Sequence, residues 1–112
     1  MKKQYRLLKN EDFKKVLDAK SFCSNSSFVL RYRQNDLGQI RIGISVSRQL
    51  GNAVQRNRYK RQVRMMIDDV FSLECSYDMV LILRKGYLDK NFSENLEELK
   101  YLYKKFTKRG DN

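Results

Sequence analysis

The chain has 112 residues, 41% hydrophobic and 33% charged, a balance that suits one globular domain with a single modest core and excludes a disordered tail. Lysine and arginine number 24 against 13 acidic residues, a formal net charge of +11, so the expected partner is nucleic acid or another anionic surface. Histidine is absent, which removes every nucleophile–base pair that relies on imidazole. The two cysteines, Cys23 and Cys75, give no zinc set and are expected as free thiols in a reducing cytosol. Polar residues from Gln4 onward break any secretory apolar run, and no stretch nears the roughly 20 apolar residues that span a bilayer. The expected location is cytoplasmic.

Residues 1–9 read as a loose basic arm. Asn10 is a good N-cap, with Glu11 and Asp12 where a helix dipole favours acids. Phe13, Val16 and Leu17 then share one face, predicting a short helix over 11–19. Around Phe22 and Cys23 a weak edge strand is expected. Phe28, Leu30 and Tyr32 alternate with Val29, Arg31 and Arg33, the pattern of a half-buried strand. After a turn at 34–38, Ile40, Ile42, Ile44 and Val46 alternate with Arg41, Gly43, Ser45 and Ser47. Two strands so joined read as an antiparallel hairpin, with Arg31, Arg33, Arg41, Ser45 and Ser47 on a shared surface.

From Leu37 to Ile67 there is no acidic residue, while Arg41, Arg48, Arg56, Arg58, Lys60, Arg61 and Arg64 crowd the same window. Tyr59, Val63, Met66, Ile67, Val70 and Phe71 fall on one helical face. Asn57, Lys60, Arg61 and Arg64 form a stripe beside and behind it, and Arg58 lies further round. Arg56 falls near the apolar column one turn early, where it can curl over the helix N-terminus. Such a helix buries one flank and offers guanidinium forks, which suit phosphate, on the other. Further on, Met79-Val80-Leu81-Ile82-Leu83 is a continuous apolar run, as of a central strand covered on both faces, ended by Gly86. Ser93 is expected to cap a last helix whose buried side is Leu96, Leu99, Leu102, Tyr103 and Phe106.

The order α-β-β-β-α-β-α predicts an α/β sandwich of two layers, helices against a mixed four-stranded sheet, in one domain over 1–112. The acidic residues make no two-metal cluster: Asp68 and Asp69 sit on one helix, Glu97 and Glu98 on another. No catalytic residue and no metal ligand is expected. A DNA-binding regulator needs a supporting helix before its recognition helix, and a membrane-surface helix would expose the apolar stripe that this core requires. Neither DNA nor a membrane is expected as partner.

Arg41-Ile-Gly43-Ile-Ser45-Val-Ser47-Arg48, followed by Gly51-Asn52-Ala53-Val54-Gln55-Arg56-Asn57-Arg58-Tyr59-Lys60-Arg61-Gln62-Val63-Arg64, resembles the signature of the bacterial ribonuclease P protein subunit. Asn10-Glu11-Asp12-Phe13 and Phe28-Val29-Leu30 extend the likeness over nearly the whole chain. The resemblance implies a left-handed βαβ crossover, where general physics favours the right-handed one. It also implies an accessory subunit of an endoribonuclease whose RNA subunit is the catalyst, with Mg2+ at the RNA active site. That RNA and precursor tRNA are the implied partners, and the activity is removal of the tRNA 5′ leader. By position, Arg48, Gly51, Asn52, Arg56, Arg58 and Arg61 are the candidates for the RNA subunit. Phe13, Leu17, Arg31, Asn57, Lys60 and Arg64 are the candidates for the leader cleft. Leu17 and Arg31 stand where the family often has aromatics, so leader binding here leans on charge more than stacking. The alternative reading is a ribosomal or ribosome-assembly RNA-binding protein with no part in tRNA cleavage.

Overall fold

The computed structural model describes residues 1–110; residues 111 and 112, the end of the expected domain, lie outside the described residues. The period-two stretches become strands β1 (Phe22–Ser24), β2 (Phe28–Gln34), β3 (Arg41–Ser45) and β4 (Tyr77–Leu83). Those with helical spacing become α1 (Asn10–Asp18), α2 (Ala53–Val70) and α3 (Phe92–Gly110). The element order is the expected one.

β2 and β3 do not form the expected hairpin. The sheet order is β1-β2-β4-β3, with β4 antiparallel to β2 and parallel to β3. Burial explains the insertion. Met79, Val80 and Leu81 are all 0% exposed, so β4 needs cover on both faces and a neighbour on each edge. The polar rows of β2 and β3 still share a face, because Arg31 and Gly43 both stand opposite Val80.

On one side of the sheet, Phe28, Leu30, Ile42, Met79 and Leu81 pack with Val63, Met66 and Ile67 of α2 and Leu99, Leu102 and Phe106 of α3. Each such side chain contributes about 1.5–3 kcal/mol on burial, so this sheet-on-helix pair is the main body of the sandwich. On the other side α1 adds a partial layer, where Val16 meets Val80 and Leu7.

The β3-α2-β4 connection is left-handed. Ile42 points its side chain into the α2 side, and its carbonyl accepts from the Leu7 amide (3.1 Å), beyond the edge of β3 away from β4. For an L-residue these two directions are linked. Seen from α2 with β3 running upward, a residue facing the viewer turns its carbonyl to the right, so β4 lies to the left. A helix crossing in front from right to left makes a left-handed turn.

Residues 1–9 are not a loose arm. Lys3–Tyr5 is a 3-10 turn, Arg6 bridges Ile42 in parallel, and Leu7 is 3% exposed. The adjacent pair Leu7-Leu8 in a short basic segment carries no periodic signal, so the sequence reading missed the anchor at Leu7. The caps also differ. α1 starts at Asn10 itself, with Lys9 at the cap position. Asn91, not Ser93, begins α3: the Glu94 amide donates to Asn91 Oδ1 (2.9 Å) and the Asn91 amide to Glu94 Oε1 (3.0 Å), a reciprocal capping box. Neither Cys23 nor Cys75 is joined in a disulfide among the described residues; burial pushes the Cys23 thiol pKa up, against the lowering charges of Arg109 and Lys105.

Two outcomes are expected. Leu7→Ala should cost about 2–5 kcal/mol in urea unfolding, where a residue on a loose arm would cost nothing. Burial, with Tyr59 beside it, pushes the Tyr87 phenol from its ordinary value near 10 up to about 12. Above about pH 10 the unfolded chain gives up this proton while the folded chain keeps it. The resulting stability is complete below pH 10 and is lost as pH rises through about 12. Alkaline unfolding of wild type and Tyr87→Phe should diverge in that window.

Candidate nucleic-acid interface

The start of α2 is fixed by backbone chemistry. Gly51 sits at φ +155°, and a Cβ there would lie 2.5 Å from Gln55 Oε1. That oxygen accepts the Asn52 amide (2.9 Å) while Asn52 Oδ1 accepts the Gln55 amide (2.9 Å). Only glycine leaves room for this capping box. From there Val63, Met66 and Ile67, each 0% exposed, lock the rotation of the helix against the sheet. The rotation sets where each cation stands. Arg58, Arg61 and Asn57 are exposed; Arg56, Lys60 and Arg64 are half-buried; Arg48, in the turn Arg48–Leu50, is exposed.

Among the described residues no carboxylate lies within 4.0 Å of Arg48, Arg56, Arg58, Lys60, Arg61 or Arg64. Arg41, counted in the same cationic window, behaves differently. Its Nε and Nη2 donate to the two oxygens of Asp78 (2.8 and 2.6 Å), and Nη1 lies 3.4 Å from Asp12. The Asp78 hydrogen bond leads the causes that raise the Arg41 pKa. Two acids from distant elements thus neutralise it, which a linear window cannot reveal. Arg41 ties α1 to the sheet and is no part of the free surface.

Between α1, β3, α2 and the N-terminal segment lies a cleft of about 130 Å3. Phe13, Lys60 and Arg64 line it, with Arg6, Leu8 and Gly43. Gly43 faces Phe13 so closely that a Cβ would overlap the ring tip. The Arg64 pKa is lowered, first by burial and then by the charge of Arg6. Arg6 Nη2 donates to the Met1 carbonyl (3.2 Å), while its buried Nε has no partner among the described residues. Two guanidinium groups and an ammonium therefore crowd one cleft beside an aromatic ring, which is an anion-binding arrangement.

Phe13, Lys60 and Arg64 are brought together in this cleft. Asn57 continues their row one turn toward the start of α2, on the exposed part of the helix. Leu17 and Arg31 do not line the cleft. Leu17 is 42% exposed; Arg31 donates to the Ala19 carbonyl (3.3 Å) and stands 5.3 Å over the Phe22 ring. Arg56 lies near the apolar column, with its Nε buried and unpartnered. Arg6 was missed, because nothing in a short basic segment says that it folds back on the sheet. No three or more His, Cys, Asp or Glu side chains among the described residues could hold a metal ion, and no helix is long and apolar enough to cross a membrane.

A family model described as Ribonuclease P matches residues 1–107. The chain belongs to the ribonuclease P protein family. The Ribonuclease P protein component of Mesoplasma florum is 44% identical over 110 residues, which cover 96% of this chain and 100% of that one. The solved RNase P protein of Staphylococcus aureus aligns with TM-score 0.78 at 30% identity, covering 89% of this chain and 93% of that chain. That of Thermotoga maritima aligns with TM-score 0.75 at 30% identity, covering 87% and 93%. The mixed sheet and its helices are thus the ribonuclease P protein fold.

Gly43→Ala tests the cleft floor. The added methyl should turn Phe13 outward at a cost of about 1–3 kcal/mol. Thermal unfolding and the ring signals of Phe13 in NMR should both shift, whereas a floor with slack would show neither change.

Proposed function

We propose that this chain is the protein subunit of ribonuclease P, and that α2 serves two RNAs at once. Arg48, Gly51, Asn52, Arg56, Arg58 and Arg61 meet the catalytic RNA. Phe13, Asn57, Lys60 and Arg64, joined by Arg6, meet the 5′ leader of precursor tRNA. The observation that carries this reading is the set of six unneutralised cations on and just before α2, beside a cationic cleft with an aromatic floor. Leu17 and Arg31, away from the cleft, would reach only a leader that runs on past Phe13.

The mechanism follows from differential binding. Precursor and mature tRNA share their body, so contacts to the body hold both alike. Leader contacts exist only before cleavage, and they favour substrate over product. Hydrolysis of the phosphodiester falls to the RNA subunit, where bound magnesium would supply Lewis-acid chemistry. This chain neutralises phosphate near the scission point, which lowers the repulsion that magnesium must overcome.

The double variant Arg58→Ala/Arg61→Ala should bind the cognate RNA more weakly, with a shallower salt dependence. With about five phosphate contacts the wild-type log–log slope is roughly −3.5 to −4.5. An unchanged slope in the variant would count against α2 as the docking surface. Reconstitution at low magnesium should show faster turnover of precursor tRNA with this protein than without it. A ribosome-assembly protein would share the affinity for RNA but give no such acceleration.

A further inference from the structure

A second hollow, of about 380 Å3, lies between the N-terminal half of α2 and the segment leading into α3. That volume is within the range of about 300–1,000 Å3 that holds small ligands. Tyr59 and Tyr87 line it edge to face, with ring centroids 5.6 Å apart. Leu88 and Phe92 form its outer wall and are 44% and 39% exposed. Arg58 stands at the same hollow without a carboxylate partner among the described residues. Gln62 accepts the Tyr87 hydroxyl through its side-chain oxygen (2.7 Å), and its amide N–H groups remain as donors with no partner among the described residues. Lys90 is engaged already, with Ser26 Oγ (2.9 Å), the Gly86 carbonyl (3.1 Å) and Glu98 (3.8 Å).

We propose that this hollow receives one unpaired nucleotide of the ribonuclease P RNA, its base laid on the Phe92 ring and its phosphate met by Arg58. The inference rests on the function proposed above and adds a site to it. An aromatic face, a free amide donor and an unpaired guanidinium are together the chemistry that recognises a splayed-out nucleotide. Continuity supports the same occupant. Arg58 belongs both to the hollow and to the exposed cationic flank of α2, so an RNA following Arg61 and Arg58 reaches the hollow's mouth. An apolar peptide would cover Leu88 and Phe92 but would leave Arg58 unanswered.

The test uses the full chain with its cognate ribonuclease P RNA at fixed salt. Phe92→Ala and Phe92→Leu should weaken assembly roughly 5- to 150-fold, the range for one base stacked on an aromatic ring. Phe92→Tyr should bind as wild type does, and the salt slope of Phe92→Ala should stay at the wild-type value, because stacking releases no counterions. All three variants should melt with the wild type. Wild-type affinity in Phe92→Ala overturns the site. Full affinity in Phe92→Leu also overturns it, since leucine restores apolar volume but not the π face. A melting loss in Phe92→Ala that Phe92→Leu repairs assigns the ring to folding instead. Failure of the wild type to bind the RNA at all is a different result, and it removes the function proposed above.

Discussion

The rotation of α2 about its own axis is the constraint on which the rest depends. Val63, Met66 and Ile67 reach 0% exposure against the sheet, and a helix whose buried column is set has no freedom left in where its other side chains point. Turning α2 by one residue would lift Val63 and Met66 out of the core and press Arg64 and Asp68 toward it. Taking charges out of water costs several kcal/mol per ion even after relaxation, so the opposing flanks are held apart by a wide margin. The charge of the protein is thus presented by its core.

The two cationic sides of α2 differ in their physics. Arg58 and Arg61 stand in water, where salt screens them within a Debye length of about 8 Å at physiological ionic strength. They suit fast, salt-sensitive attraction of a large polyanion. Lys60 and Arg64 stand half-buried near Arg6 and Phe13, where water is scarcer and a charge acts more strongly at short range. They suit discrimination between a strand that enters the cleft and one that does not. A single helix can therefore serve a docking partner and a substrate without using one residue for both.

Much of this was legible in the sequence, and the gaps have identifiable causes. Period two marked β2 and β3, period 3.6 marked α2, and the unbroken run at 79–83 marked a strand covered on both faces. Pairing was not legible. A short link suggested a hairpin, yet β4 outcompeted β3 for β2 because its two apolar faces required the interior position. Long-range neutralisation was hidden too, since Asp12 and Asp78 reach Arg41 from outside its own window. Arg6 escaped notice because a one-residue bridge has no period to detect. The hand of the crossover came from family likeness, and the chirality of Ile42 accounts for it only once Leu7 is seen on the outer edge.

The charges on the free flank of α2 come from arginine and lysine alone, in a chain without histidine. Both side chains donate hydrogen bonds and have no acceptor. Phosphate and carbonyl oxygens can answer such groups, whereas an amino group on a base finds no acceptor among them. Cations that only donate can fix the position of a phosphate backbone, but they carry little information about the order of bases along it.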